Sequence, residues 1–114
     1  MPDPFDHVRA LALAFPGVEE SLTFGSPSLK VSGKFLTQMW QDGTSLILSM
    51  EIIERDMWIN AEPDIFFITD HFRDWPGVLI RIDQIDDDLL CDLIEKTWRR
   101  RALKKLVKAY DESN

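Results

Sequence analysis

Two histidines and one cysteine are the side chains whose types could support metal binding or nucleophilic chemistry. Each histidine follows an aspartate, at Asp6-His7 and at Asp70-His71. Adjacent residues do not converge on one ion, and the sequence has no His-x-x-x-His pair and no cysteine pair. No metal site is therefore predicted. We expect His71 to order its turn through a hydrogen bond to nearby backbone, an interpretation we favour over a proton shuttle.

The cysteine, Cys91, lies beside Leu90 on a predicted helix, where a thiol usually packs as a small apolar group. Its acidic neighbour Asp92 is expected to raise the pKa of the thiol, which disfavours a nucleophile. The sequence contains no Gly-x-Ser-x-Gly elbow and no glycine-rich phosphate loop. Neither an enzymatic activity nor a cofactor is predicted.

A single cysteine cannot form an internal disulfide, which is typical of a reducing compartment. The opening Met1-Pro2-Asp3-Pro4 has no basic region and no apolar run, so no secretory signal is predicted. No stretch is long and apolar enough to span a membrane. These features predict a cytoplasmic protein.

Charge is unevenly distributed along the 114 residues. Twenty acids and thirteen bases give a net charge of −7, which disfavours nucleic acid as a default partner. However, residues 96–114 hold seven of the bases and two of the acids. Bases near the end of a helix that opens with Asp86-Asp87-Asp88 complement the helix dipole, and this is the interpretation we favour. A phosphate-binding patch is the alternative.

Hydrophobic periodicity predicts the order helix, strands, helix, strands, helix. The first helix opens at Asp3-Pro4 and ends at Pro16-Gly17, with a buried stripe of Phe5, Val8, Ala12 and Phe15. Leu22–Phe24 reads as a short strand, and Leu29–Met50 as a three-stranded meander. Asp42-Gly43 is the strongest hairpin signal and predicts a tight two-residue turn with positive φ at Gly43.

The second half of the chain is also predicted to alternate between helices and strands. A helix is predicted over Glu51–Asn60, with Ile52, Ile53, Met57 and Ile59 inward, followed by a strand at Ile65–Ile68 and a loop over Thr69–Gly77. A second strand is predicted over Val78–Ile82, with Val78, Ile80 and Ile82 inward. The last element is a long helix capped by Asp86, whose apolar stripe consists of Leu90, Ile94, Trp98, Ala102, Leu106 and Tyr110. A straight final helix would be about 40 Å long, so we expect a break near Arg100–Leu103.

These elements predict one α+β domain over residues 1–114, with two layers: an antiparallel sheet with helices packed on one side. Trp98 lies on the apolar stripe and is predicted to be core. Trp75 lies in a loop between Asp74 and Pro76, where a tryptophan either contacts a partner or folds over the core as a lid.

Three stretches, in order and spacing, resemble the MmcQ/YjbR-like family. They are Phe15-Pro16-Gly17-Val18-Glu19-Glu20, the Thr23–Phe35 stretch with its Phe-Gly-x-Pro turn and Gly33-Lys34, and Ala61–His71 followed by Trp75–Ile82. The resemblance implies a secretion-chaperone-like fold of helix, three strands, helix, two strands and helix. It also implies a "double wing" of two hairpin projections and DNA binding. Ser26 stands where a histidine is frequent in that turn.

Two functions are therefore predicted. The first is weak, largely sequence-independent DNA binding through phosphate contacts. The expected contacts are Lys30, Lys34, Arg73, Arg99, Arg100, Arg101, Lys104, Lys105 and Lys108, with Trp75 and His71 as additional loop contacts. The alternative is a non-enzymatic protein-interaction or chaperone-like module. Bases that cluster with the wings favour the first function, and bases that are scattered or paired with acids favour the second.

Overall fold

The computed structural model describes residues 3–113, so Met1, Pro2 and Asn114 lie outside the described part of the chain. The elements, in chain order, are α1 (Pro4–Ala12), β1 (Val18–Thr23), β2 (Ser26–Val31), β3 (Lys34–Met39), β4 (Ser45–Ser49), α2 (Ile52–Ala61), β5 (Phe66–Phe67), a 3₁₀ turn (Asp70–Phe72), β6 (Gly77–Arg81), α3 (Asp87–Arg101) and α4 (Lys104–Ser113).

The six described strands form one antiparallel sheet in the order β1-β2-β3-β4-β6-β5. This confirms the α+β class and the meander. The strand predicted at Leu22–Phe24 is longer, because β1 begins at Val18 and pairs along its whole length with β2. Four strands therefore precede α2, one more than the family resemblance implied.

The first helix begins where its sequence predicts, but it ends at Ala12 rather than at Pro16-Gly17, so Phe15 is buried from the loop that follows it. The side chain of Asp3 accepts a hydrogen bond from the backbone N–H of Phe5 at 3.0 Å, and Pro4 takes the first turn. Phe5, Val8 and Ala12 are buried, because they recur at helical spacing on the face that meets the sheet.

The loop between β3 and β4 matches its prediction in conformation but not in length. Gly43 has a φ of +73°, as expected. The backbone N–H of Trp40 bonds to the carbonyl of Ser45 at 2.8 Å, so four residues rather than two separate the last paired positions. The wider loop forms because the Asp42 carboxylate accepts hydrogen bonds from the N–H groups of Thr44 and Ser45 and from the Ser45 hydroxyl.

The predicted break in the last helix is confirmed. The Asp86 side chain caps α3 through the N–H of Leu89. The helix ends at Arg101, where Ala102 adopts an extended ψ of 152°, and α4 starts at Lys104. Tyr110 on α4 then packs against Trp98 on α3, so the break folds the chain back over its own core.

One face of the sheet is covered by helices, and Trp98 lies at the centre of this helix-covered face. Its side chain is 0% exposed, its ring stacks on Phe15 at 5.5 Å, and its indole N–H donates to the Pro16 carbonyl at 2.8 Å. The prediction that Trp98 is core is confirmed.

The prediction for α2 was wrong for Ile53 and Met57, whereas Ile52 is half-buried and Ile59 packs against the core as expected. Ile53 is 86% exposed and Met57 is 51% exposed, whereas Arg55 is 3% exposed. The helix lies at the β5 edge of the sheet and contacts it through Trp58, whose ring is 5.0 Å from that of Phe66. Only one side of α2 therefore meets the core, and the arginine on another side is buried by the loop that follows β5.

The opposite face of the sheet is covered by loop residues 68–76, which we call the aromatic loop. Leu79 of β6, which the sequence analysis did not place in the core, is fully buried. It packs with Ile47 of β4 and Phe72 of the loop. Both faces of the central strands are thus covered, which is why residues 46–48 of β4 and 78–80 of β6 are consecutive apolar residues.

Candidate functional site

The turn between β2 and β3 lies against the junction of α3 and α4. Ser32 and Gly33 form this two-residue turn with φ values of 53° and 75°. The Ser32 hydroxyl accepts a hydrogen bond at 3.2 Å from the backbone N–H of Leu103, the second of the two residues between the helices. This contact brings Lys34, which begins β3, to the same end of the molecule as Lys104, which begins α4.

Two arginines at the end of α3 converge on one hydroxyl group. A guanidinium N–H of Arg100 lies 2.9 Å from the Oγ of Ser49, and two from Arg101 lie 2.9 and 3.2 Å from the same oxygen. Ser49 is fully buried at the end of β4, and its carbonyl accepts a hydrogen bond from the Thr97 hydroxyl. Within residues 3–113, neither arginine has a carboxylate within 4.0 Å.

Partial burial, and then the positive charge of Arg100, lower the pKa of the Arg101 guanidinium from its usual value. Both causes penalise the charged form, and an anion placed against the pair would oppose both. Guanidinium groups offer several donors in a fixed fork, and each of these two has donors left over after its bond to Ser49.

The bases around this contact form a group, which we call the junction cluster. It consists of Lys34, Arg100, Arg101, Lys104 and Lys105. The three lysines are exposed, and no ion pair joins any of them to a carboxylate of the described chain. All five were predicted as phosphate contacts, and the structure places them around one turn and one helix junction.

Three other predicted contacts are held by acids. Arg99 bonds to Glu95 at 2.9 Å and to both carboxylate oxygens of Asp111 at 2.8 and 3.1 Å. Asp111, and then Glu95, raise the pKa of Arg99, and Arg99 in turn lowers the pKa of Asp111. Arg73 pairs with Asp70 at 2.9 Å, and Lys108 lies 3.9 Å from Glu112.

The remaining predicted lysine, Lys30, is part of the sheet rather than of a projecting tip. It lies on β2 directly opposite Glu19 of β1 and is half-buried. Cross-strand pairs of opposite charge stabilise a sheet, so the position of Lys30 is explained by its neighbour on β1.

The two predicted loop contacts belong to the aromatic loop. Trp75 is 36% exposed, and its ring lies 5.7 Å from Phe35 and 5.7 Å from Phe72. A side chain on Gly77 would meet the Trp75 ring at 1.9 Å, so the indole lies flat over the β6 backbone. The ring of His71 contacts those of Trp40 and Phe72 instead of the expected backbone partner. The packing of Trp75 fits the predicted lid over the core better than the predicted contact with a partner.

Sequence reasoning missed Arg55, the residue that orders the aromatic loop. Its guanidinium donates to the carbonyls of Phe72 at 2.9 Å, Trp75 at 3.0 Å, Arg73 at 3.3 Å and Gly77 at 3.4 Å. The detectable signal was indirect: a nine-residue loop that covers a sheet needs donors for its buried carbonyls, and a cation on the preceding helix can supply several.

The groups considered first for chemistry have other roles. Within the described residues, no three histidine, cysteine, aspartate or glutamate side chains are grouped to hold a metal ion. Burial, followed by the charges of Asp92, Glu95 and Asp88, raises the pKa of Cys91, as the sequence predicted. His7 bonds to Asp87 at 2.9 Å and so connects α1 to the start of α3.

The fold is that of a known family of α+β domains. Residues 13–100 match the family model described as YjbR, and the chain belongs to that family. This confirms the resemblance to the MmcQ/YjbR-like family.

The relatives add no established activity. The uncharacterized proteins Mb2600 of Mycobacterium bovis and Rv2570 of Mycobacterium tuberculosis are each 41% identical over 52 residues. Those residues are 46% of this chain and 40% of each relative, so the match spans less than half of either protein. The crystal structure of Deinococcus radiodurans protein DR2400, of domain family DUF419, has a TM-score of 0.71 at 19% identity, covering 92% of this chain and 86% of that one. In residues 3–113, no helix is long and apolar enough to cross a membrane.

Proposed function

We propose that this chain is a non-catalytic, cytoplasmic protein that binds nucleic acid weakly and without sequence selectivity through the junction cluster. The observation that carries the proposal is the convergence of Arg100 and Arg101 on Ser49 without a carboxylate partner. A phosphate group accepts several charge-assisted hydrogen bonds from such a pair. The β2–β3 turn beside the cluster would act as a wing against the backbone of the duplex.

The rest of the molecule limits the affinity. Residues 1–95 hold eighteen acids and six bases, and three of the nine predicted contacts already pair with carboxylates. We therefore expect about two to four effective phosphate contacts, each contributing a slope of roughly −0.9 to the dependence of log affinity on log salt. Dissociation constants should be micromolar or weaker near physiological salt, with little dependence on sequence.

The test is fluorescence anisotropy of labelled duplexes of two unrelated sequences, titrated with protein at several salt concentrations. Replacing Lys34, Arg100, Lys104 and Lys105 with Gln should abolish binding and leave the circular dichroism spectrum unchanged, because these side chains are exposed. The matched control replaces Arg73 and Lys108 with Gln, since both already pair with acids, and should bind like the wild type. No binding by the wild type at about 50 mM salt, where such contacts are strongest, would refute the proposal.

A protein-interaction module is the second candidate. It is favoured by large apolar side chains at the surface in two places: Ile53 and Met57 on α2, and Leu22 and Phe24 at the β1–β2 hairpin. Exposed apolar groups of this size are typical of surfaces that contact other proteins. Pull-down from lysate with and without nuclease separates the two candidates, because partners bridged by nucleic acid are lost after digestion.

A further inference from the structure

The open edge of the sheet at β1 offers a second, independent binding surface. β1 is paired with β2 on one side, and no described strand pairs with its other side. The opposite edge of the sheet is the two-residue β5, which is too short to pair with much. A six-residue edge strand presents unpaired N–H and C=O groups that another strand can pair with.

The features that usually protect an edge are weak along β1. It contains no proline and no bulge. Two acids, Glu19 and Glu20, provide charge, but Glu20 is paired in the chain with Arg9 of α1, which also bonds to Asp6. From Ser21 to Ser28 the hairpin carries no charged residue at all.

Phe24 at the tip of this hairpin has an unfavourable conformation and an unfavourable environment. Its φ is 51°, next to Gly25 at 79°, and its side chain is 102% exposed. The left-handed region is sterically unfavourable for an L-residue, and outside glycine only small polar residues commonly adopt it. Leu22, two residues before, is 69% exposed. Strain together with exposed apolar surface at one place indicates a contact that the single chain lacks.

The backbone geometry decides which groups face the open edge. Thr23 and Ser26 close a two-residue hairpin, so the N–H and C=O of Thr23 point towards β2. Bonding direction alternates along a strand, and therefore Val18, Glu20 and Leu22 direct their backbone groups outward.

We propose that two copies of this chain pair antiparallel through β1, about a two-fold axis at Ser21. This register places Glu20 opposite Leu22 of the second copy, and both have outward backbone groups. It also brings Val18 to the end of the partner strand from which the Phe24 turn projects, so the exposed ring gains an apolar neighbour. A two-fold axis one residue earlier, at Glu20, would place the Glu20 side chains of the two copies directly opposite each other. Like charges in directly opposite positions destabilise a sheet.

The interface is isologous, since each copy supplies the same strand, and it joins two six-stranded sheets into one. It rests on the second candidate function, protein interaction, and it can be tested separately from nucleic-acid binding, because β1 and the junction cluster share no residue.

The test is sedimentation velocity of the full chain over a wide range of protein concentration. The wild type should approach twice its 13.2 kDa mass as concentration rises. Leu22→Glu should raise the dimer dissociation constant about tenfold or more, because two like-charge pairs with Glu20 are created by symmetry. Leu22→Lys should retain the dimer, since it faces the same glutamate. The matched control is Ile53→Glu, the same change at an exposed position on α2, and should not alter the mass.

A second variant guards against misfolding. Phe24→Asn should raise the thermal stability of the monomer, because asparagine tolerates a positive φ, while it weakens the dimer. A wild type that stays monomeric at every concentration overturns the inference. So does a dimer that resists Leu22→Glu but is lost in Ile53→Glu. If the wild type is monomeric yet retains a nuclease-resistant partner in pull-down, self-pairing fails while protein interaction stands.

Discussion

The two faces of the sheet are buried by different means. On the helix-covered face, side chains of α1, α3 and α4 meet those of the strands in one continuous apolar cluster around Trp98. On the loop-covered face, three buried residues, Ile47, Phe72 and Leu79, are enclosed by an aromatic loop without regular structure beyond one 3₁₀ turn. The helix-covered face is stabilised by apolar packing. The loop-covered face also requires interactions that fix the conformation of the aromatic loop.

Arg55 is what holds that loop. A loop that covers a sheet buries backbone carbonyls, and each costs free energy unless a donor reaches it. Arg55 bonds to four of them with one planar group. The comparison teaches that the second face depends on a polar side chain for its shape, and we expect it to open locally before the helix-covered face does.

Trp98→Ala should have the largest effect, because it removes the centre of the helix-covered face. The ring is fully buried between Phe15 and Tyr110, and its N–H satisfies the Pro16 carbonyl. Truncation of a buried Trp costs about 3–5 kcal/mol, a large part of the stability of a small domain. Urea denaturation should show a lost or strongly shifted transition. A variant with wild-type stability would mean that this face does not dominate folding.

Arg55→Met should cost about 3 kcal/mol, because hydrogen bonds from a charged donor to several buried carbonyls are lost. The loss should be local. Hydrogen exchange should increase in residues 68–77 and stay near wild type in α3. Arg55→Lys should rescue only in part, since an ammonium group cannot reproduce the fork. Arg73→Met, an exposed arginine in the same loop, is the control and should change little. Uniform exchange across both faces would remove the distinction between them.

Sequence reasoning succeeded where one residue pattern determines one structure. The stripes of α1 and α3, the positive φ at Gly43 and the break after Arg101 follow from spacing, chain length and backbone sterics. It failed where a tertiary neighbour decides. Ile53 and Met57 have the spacing of a buried stripe, but no element within residues 3–113 covers them. Arg55, in contrast, is buried by a loop that lies 17 to 22 residues further along the chain.

The candidate site divides in the same way. That the last helices are basic is visible in the sequence. Which bases are free of carboxylates is not, because Arg99 meets Asp111 only after the chain turns back at Ala102. The convergence of Arg100 and Arg101 on Ser49 spans some fifty residues and has no local signal.

Trp75→Ala tests how much the lid of the loop-covered face contributes. The ring is partly exposed, so the cost should be about 2 kcal/mol, below the range for a fully buried Trp. The variant should fold and should retain the Arg55-dependent protection of Phe72. Gly77→Ala should displace the same ring, because a Cβ there overlaps it. The double variant should therefore cost less than the sum of the two single changes. A cost equal to that of Trp98→Ala would mean that the two faces are equally important.

Asp42→Asn should have the smallest effect, and its pH dependence separates polar from apolar stabilisation. Burial alone would raise the pKa of this carboxyl, but hydrogen bonds from the Thr44 N–H and from the Ser45 hydroxyl and N–H outweigh it, and the pKa is lowered. A lowered folded-state pKa stabilises above the unfolded value of about 3.9 and loses this contribution as pH falls through the folded value. At neutral pH the variant should be about 1 kcal/mol less stable than the wild type. The difference should shrink towards about pH 3. Asp92→Asn, at an exposed position on α3, is the control. A difference in stability that is the same at neutral pH and at about pH 3 would show that the charge of Asp42 does not stabilise this loop. The loop would then be stabilised by packing, as the helix-covered face is.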